Sequence, residues 1–424
     1  MSATEVGFDP TSDDVQQCPY PHYAAMRAEA PVLEIDGAAA GRPGERVFAV
    51  SRHEDVRRVL HDWHTFSSRF GAPAAKPSGE LLARLREVEA GGWRNVSTML
   101  TEDPPSHSRY RRLVSKAFTP RMVKQLGPRI DEICRELVDG FDGRERVDFL
   151  QSFAVPLPVR AVAEILEVPD DRQADFKRWA DASISAIGRV ISDDERVEAH
   201  RQMVEQQRWF ADQIEERRAD PRDDFLTHLL QAELDADDDV EGGPLEMAEM
   251  LSIIRQIQVA GSETTTSLLA DLMVVMARDP EEWQKLRADP SRADVVVEEG
   301  LRWSSPNQGL WRIVQTDTEI AGTQIPAGST VWVMFGSADH DESVFEDPES
   351  FCPEREGLSN HVAFGHGIHY CLGAALARLE ATTAMRVLAE RIESFQIVEA
   401  DSLRYAPSFI LRGLEALELD VTYA

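Results

Sequence analysis

A chain of 424 residues, 42% of them hydrophobic, can bury a large core and is too apolar to be disordered. Its formal net charge of −30 repels nucleic acid and anionic membrane surfaces, so neither is expected as a partner. Cys18, Cys134, Cys352 and Cys371 are scattered and form no close pair, which argues against a disulfide framework or a zinc ribbon.

Met1 to Pro10 has neither the basic start nor the apolar stretch of a signal peptide. Ser267 to Ala277, the most apolar stretch, is short and carries Asp271, so no bilayer span is expected and a cytoplasmic location follows by default. No internal repeat or linker divides the sequence. Residues 1–424 are therefore expected to form one domain, residues 1–18 being a loose N-terminal segment. Val47 to Val50 reads as a strand, Glu54 to Leu60 as a helix, and residues 71 to 98 as a loop around one short helix. Helical patterns dominate from Ser106 to about Glu216, broken at Pro120, Pro156, Pro158 and Pro169. The acidic run Asp235 to Glu241, closed by Gly242 and Gly243, reads as a solvated surface loop.

Pro244 is expected to open a long helix ending near Ala277, before Asp279-Pro280. At about 1.5 Å per residue it would span roughly 50 Å. Its apolar residues lie all round it, as in a helix at the centre of a large core. Thr318 to Val333 reads as short strands around the turn Pro326-Ala327-Gly328. A final helix is expected directly after Cys371, with Leu372, Ala375, Leu376 and Leu379 on its buried face, and Leu403 to Thr422 as a last hairpin. The expected fold is mainly α (α+β), with small antiparallel sheets set to one side.

Two segments carry chemistry. In Phe364-Gly365-His366-Gly367-Ile368-His369-Tyr370-Cys371-Leu372-Gly373, three glycines suit a tight loop approached by something flat. Cys371 stands at the start of a helix, where the macrodipole favours a thiolate, the form that ligates metal. Zinc held by Cys371 with His361, His366 and His369 is an alternative, although one sulfur at this spacing fits no ordinary zinc pattern. A second alternative is a small apolar filler. In Ala260-Gly261-Ser262-Glu263-Thr264-Thr265-Thr266 a polar island interrupts the long helix. Burying it without partners would cost several kcal/mol, so it needs partners or a purpose, and Gly261 would permit a widened turn. A polar loop or water pocket facing the island is the other account.

The segment Phe364 to Gly373 resembles the cysteine-ligand loop of the cytochrome P450 superfamily, and Pro19 to Arg412 is similar to the bacterial-type members. The resemblance implies a haem b between the long central helix and the helix after the cysteine loop. Cys371 would be its axial ligand, pushing electron density onto iron so that O–O cleavage is favoured, with Phe364, Gly365 and Gly373 around the sulfur. Ala260 and Gly261 would make room for dioxygen, Thr264 would hydrogen-bond it, and Glu263 would relay protons. His107, Arg111, Arg312 and His369 match propionate-contacting positions. Glu299, Arg302 and Arg355 match the family's scaffold of one acid and two arginines. The family usually shows Ala-Asn-Arg-Asp-Pro where this chain has Ala338-Asp339-His340-Asp341-Glu342.

The implied activity is that of a haem-thiolate monooxygenase. It would activate O2 with two electrons from NAD(P)H, relayed by a separate ferredoxin with its reductase, or by a flavodoxin-type donor. Docking is expected near Arg109, Arg112 and Lys116, which with Arg121 form a basic patch in an acidic chain. Trp93, Met99, Ile187, Val259, Leu310, Trp311, Phe409 and Ile410 match pocket positions, and their apolar character points to hydroxylation or epoxidation of a small hydrophobic substrate by a monomeric enzyme. A peroxide-driven peroxygenase ranks second and a non-catalytic gas sensor third; Glu263 and Thr264 weigh against both.

Overall fold

The computed structural model describes residues 7–71, 79–141, 143–188, 192–234, 242–408 and 410–424. The acidic run 235–241 and Phe409 lie outside the described residues. Two compact units emerge, one made of Met1–Ala74, Leu126–Leu157 and Glu263–Ala424, the other of Ala75–Gln125 and Pro158–Ser262.

In the first unit, a five-stranded sheet runs in the order Val32–Ile35, Val47–Val50, Thr330–Met334, Gly309–Val314, Phe66–Ser67. Val47–Val50 lies parallel to Thr330–Met334, and the other pairings are antiparallel. Every residue of these two inner strands is buried, which explains why they read as continuous apolar runs without alternation. One face of the sheet buries Phe48, Val50, Val331 and Val333 with Val56, Val59 and Leu60 of the helix His53–His61. The opposite face buries Trp332 and Met334 with Tyr20, Tyr23 and Met26. The expected short strands are present: Thr318–Ile320 and Thr323–Ile325 form a hairpin turning at Ala321-Gly322, and Pro326-Ala327-Gly328 leads on to Thr330–Met334 in the other sheet. Within the expected last hairpin Tyr405 and Leu414 bridge antiparallel, but Glu418–Tyr423 goes elsewhere. It pairs with Ile392–Ile397 and Arg146–Asp148 in a three-stranded sheet.

The helix after the cysteine loop is Ala374–Arg391, beginning two residues later than expected. Leu376 is buried as expected but Ala375 is exposed, so the helix presents Ala374, Leu376, Glu380, Ala381 and Ala384 inward. It packs against Gly127–Asp139 and Ala293–Ser304.

The second unit is built on Asp193–Ala219, against which Gln173–Gly188, Gly79–Glu89 and Phe225–Gln231 pack. Ser192 and Glu195 cap its start reciprocally, satisfying two backbone donors that the first turn leaves open.

The long helix is Met247–Arg278, about 48 Å by its 32 residues. It starts three residues after Pro244 because Gly243–Pro244 is held as a short strand against Glu233–Leu234. The helix stays α-helical through Gly261, so the expected widened turn is not present there. The division between the units falls within it, after Ser262.

Candidate active site

The cysteine loop takes shape from local chemistry. Gly365 and Gly367 adopt φ of +72° and +70°, a left-handed conformation that side chains with a Cβ resist. A Cβ on Gly367 would also lie 2.7 Å from the Leu60 carbonyl oxygen, so that position needs glycine twice over. The Cys371 N–H donates to the Phe364 carbonyl at 2.9 Å and closes the loop. The Cys371 side chain is exposed, whereas Ala374 and Leu376 of the following helix are buried. Its sulfur is thus carried on the open side of a rigid, glycine-shaped loop. A thiol donor on an open face, with glycines that keep the approach flat, fits a haem.

Phe364 is fixed by a cluster in which the sequence singles out only His361. The Arg378 guanidinium lies 4.5 Å from its ring centroid. Both guanidinium ends of Arg378 bond Glu298 at 2.7 Å, and His361 Nε2 contacts the same carboxylate at 2.9 Å. Burial alone would raise the Glu298 pKa, but hydrogen bonds from Arg378 and His361 outweigh it and pull the value down to about 2. His361 is therefore committed to Glu298, and among the described residues no group of three or more His, Cys, Asp or Glu converges as a metal cage. The zinc alternative has no geometric support.

Beneath this loop Glu299, Arg302 and Arg355 come together. Arg302 holds Glu299 bidentately at 2.7 and 2.8 Å, and both are fully buried. Its remaining donors reach the carbonyls of Asp339, Pro348 and Ser350 at 2.8, 2.8 and 3.2 Å. Arg355 Nε adds a bond to Glu299 at 3.3 Å, and the Cys352 N–H one at 2.9 Å. Every oxygen of Glu299 is used, which is what a buried ion pair requires to repay desolvation.

The atypical Ala338-Asp339-His340-Asp341-Glu342 is accommodated in the same unit. Asp339, whose pKa burial raises, accepts from the Val362 N–H at 2.6 Å and Ser305 Oγ at 2.8 Å. His340 stacks on Tyr20 with centroids 4.3 Å apart, and Asp341 caps the His53 N–H at 2.8 Å.

Of the expected propionate contacts in this unit, His369 Nε2 lies 2.8 Å from Ser68 Oγ, and Arg312 is buried with Nη1 donating to the Trp311 carbonyl at 2.8 Å. Ser68 escaped the sequence reading because it lies 301 positions from His369. In the second unit His107 and Arg111 share one face of the helix Ser106–Ala117; His107 is buried and Arg111 partly exposed.

Along the long helix, hydroxyls in and next to the polar island reach backbone carbonyls. Ser262 Oγ donates to the Gln258 carbonyl at 2.8 Å, Ser267 Oγ to the Glu263 carbonyl at 3.0 Å, and Thr266 Oγ1 to the Ala154 carbonyl at 3.0 Å. These hydroxyls are absorbed by backbone. Glu263 and Thr264 are partly exposed, and Ala260 is exposed although Leu268–Met276 is buried throughout. A Cβ on Gly261 would meet Val162 Cγ2 at 2.9 Å, so glycine there answers a close neighbour in its own unit.

Two expectations are corrected. Trp311 does not face a pocket: in Gly309–Val314 it alternates to the face opposite Leu310 and Arg312 and packs with Trp332 at 5.9 Å inside the core. Arg109 is not a docking cation. It is buried, with Nη1 bonded to Glu249 at 2.9 Å and Nη2 to the Pro244 carbonyl at 2.8 Å. Tyr110 bonds the same carboxylate at 2.8 Å. Arg112, Lys116 and Arg121 remain at the surface, Lys116 also donating to the Glu233 carbonyl.

Of the other expected pocket residues, Met99 is buried, Val259 partly buried and Trp93 37% exposed, its backbone clamped by Gln207 at 2.9 and 3.1 Å. Leu310 and Ile410 are partly buried against the core, and Ile187 lies in Gln173–Gly188.

A family model described as cytochrome P450 matches residues 158–398. The chain is similar to cytochrome P450 107B1 of Saccharopolyspora erythraea, 37% identical over 93% of both chains. It is also similar to the cytochrome P450 monooxygenase PikC of Streptomyces venezuelae, 36% identical over 95% of this chain and 90% of the relative. The solved structure of cytochrome P450 CYP109Q5 from Chondromyces apiculatus superposes with a TM-score of 0.85 at 37% identity, covering 98% of each chain.

Proposed function

This chain belongs to the cytochrome P450 family and is a haem-thiolate monooxygenase, and from that premise we propose that it hydroxylates or epoxidises a small hydrophobic substrate with electrons from a separate ferredoxin- or flavodoxin-type donor. Haem, when bound, supplies the centre at which dioxygen is reduced and cleaved, one oxygen atom passing to substrate and the other leaving as water with two protons and two electrons.

The carrying observation is the exposed Cys371 side chain at the head of a loop that Gly365, Gly367 and the Phe364 carbonyl hold in one shape. Its thiolate would hold the iron, and the neighbouring helix start would keep the sulfur ionised. Phe364, clamped by Arg378, would shield the sulfur from water. Arg312 and His369 in the first unit, and His107 and Arg111 in the second, are each cations or donors of the kind that bind a propionate.

On the long helix, Thr264 would hold a hydrogen-bonded proton at its Oγ1, and Glu263 would resupply it from solvent. The same acid and alcohol weigh against a peroxide-driven enzyme, which needs no proton relay from solvent, and against a gas carrier.

NAD(P)H would feed the enzyme through its partner, for which Arg112, Lys116 and Arg121 form the candidate docking patch. The test is turnover with a ferredoxin, its reductase and NAD(P)H under isotopically labelled dioxygen, using a panel of apolar compounds. One labelled oxygen atom per product molecule is expected. Product formed only when peroxide is supplied, without label from dioxygen, would overturn the proposal.

A further inference from the structure

The chain has 75 acidic and 45 basic residues, so almost any cation can find a carboxylate. Several buried arginines do: Arg27 pairs with Glu342, Arg109 with Glu249, Arg217 with Asp224 and Arg302 with Glu299, while Arg412 is held by the Gln16 and Gln17 carbonyls. Arg255 does not. It lies on the long helix, partly buried, and its guanidinium meets two neutral atoms, Asn95 Oδ1 at 2.5 Å and Met203 Sδ at 3.5 Å. Among the described residues no carboxylate pairs with it. Burial lowers its pKa with no acidic neighbour to oppose the shift.

The surroundings are built. Residues 95–98 are strapped to the helix turn 252–256: the Val96 N–H donates to Ser252 Oγ at 3.0 Å, Ser252 Oγ reaches Asn95 Oδ1 at 3.4 Å, and Thr98 Oγ1 donates to Gln256 Oε1 at 3.3 Å. With its oxygen occupied by Thr98, the Gln256 amide keeps its N–H donors for another partner. Apolar groups stand close by. Met203 touches Arg255, Met99 follows Thr98, and Val259 lies one helical turn along the same face. A partly buried cation held by neutral acceptors beside apolar side chains keeps its charge uncompensated until an anion completes it.

We propose that Arg255, assisted by Gln256, is an anchor for the anionic head group, carboxylate or phosphate monoester, of an otherwise apolar substrate. The inference rests on the monooxygenase reading and names the substrate class for it. Ala260 lies five residues beyond Arg255, a rise of about 7.5 Å along the helix. The oxidised carbon is then several carbon–carbon bonds from the head group, not next to it.

Isothermal calorimetry on the holoenzyme with decanoate, decyl phosphate and decanol tests this, each variant's reduced carbon monoxide spectrum being recorded alongside. At least one anion is expected to bind about tenfold or more tightly than decanol, and the better of the two identifies the head group. Arg255→Gln should bring anion and alcohol to within about twofold by weakening the anion alone, and Arg255→Lys should retain part of the preference. Equal binding of anions and alcohol by the native enzyme, an anion preference that survives in Arg255→Gln, or no binding of any of the three would overturn the proposal. A spectrum without the thiolate band would sink the monooxygenase reading instead, while the calorimetry would still report on Arg255.

Discussion

Arg302 is fully buried and Arg255 partly so, and they sit in opposite electrostatic settings. Arg302 has a bidentate carboxylate and three backbone carbonyls, so its region is neutralised and complete. Arg255 has one amide oxygen and a thioether. The first arrangement serves the fold and asks nothing of a ligand. The second leaves charge uncompensated, as a binding group does before its ligand arrives. Changes near Arg302 should therefore cost stability and haem retention, and changes on the exposed stretch of the long helix should cost selectivity or coupling with the fold intact.

Arg302→Ala is the harshest test of that division. It strands the fully buried Glu299 carboxylate, and the loss should be about 3–5 kcal/mol in denaturant unfolding, with haem no longer incorporated. A variant that purifies with full haem content would break the comparison. Thr264→Ala should leave haem content and unfolding unchanged while product formed per reductant consumed falls by about tenfold or more, peroxide appearing in its place. Measuring peroxide against product checks it, and unchanged coupling would remove Thr264 from the proton path.

Glu298→Gln sharpens the comparison through pH. The Glu298 pKa is depressed from 4.5 to about 2 in the fold, so its contribution to stability is complete above about pH 4.5 and is lost as pH falls toward 2. The native protein should lose stability more steeply over that window than Glu298→Gln, as followed by acid titration of the helical signal. Parallel curves would mean that Arg378 and His361 do not depend on the charge. The smallest effect is expected from Arg112→Glu with Lys116→Glu. Fold and ligand binding should not change, but reduction by the electron donor should slow by about three- to tenfold at low salt, with a weaker salt dependence. Unchanged reduction kinetics would place the docking surface elsewhere.

How much of this was legible in the sequence follows from the same physics. The Cys371 loop and the Glu299–Arg302 pair were readable because their partners are local or set by fixed spacing. The inner strands and the long helix were readable because total burial leaves apolar runs. Trp311 was misplaced because a strand shows its alternation but not which face meets the core, and here Trp332 and the N-terminal aromatics claimed it. Arg109 looked like a surface cation because its partner Glu249 is 140 positions away. Glu298 and Arg378 were silent for a similar reason, since an acid and a base 80 positions apart announce nothing until the fold joins them. The start of the long helix lies three residues after Pro244, which pairs with Glu233 in a short strand that the sequence pattern did not reveal.

All of these assignments depend on sulfur from residue 371 reaching iron. The absorption spectrum of the purified holoenzyme, reduced and exposed to carbon monoxide, tests that most directly. A strongly red-shifted Soret band that disappears in Cys371→Ser is the predicted result; an imidazole-type band in the native protein, or a red-shifted band that persists in Cys371→Ser, would contradict it.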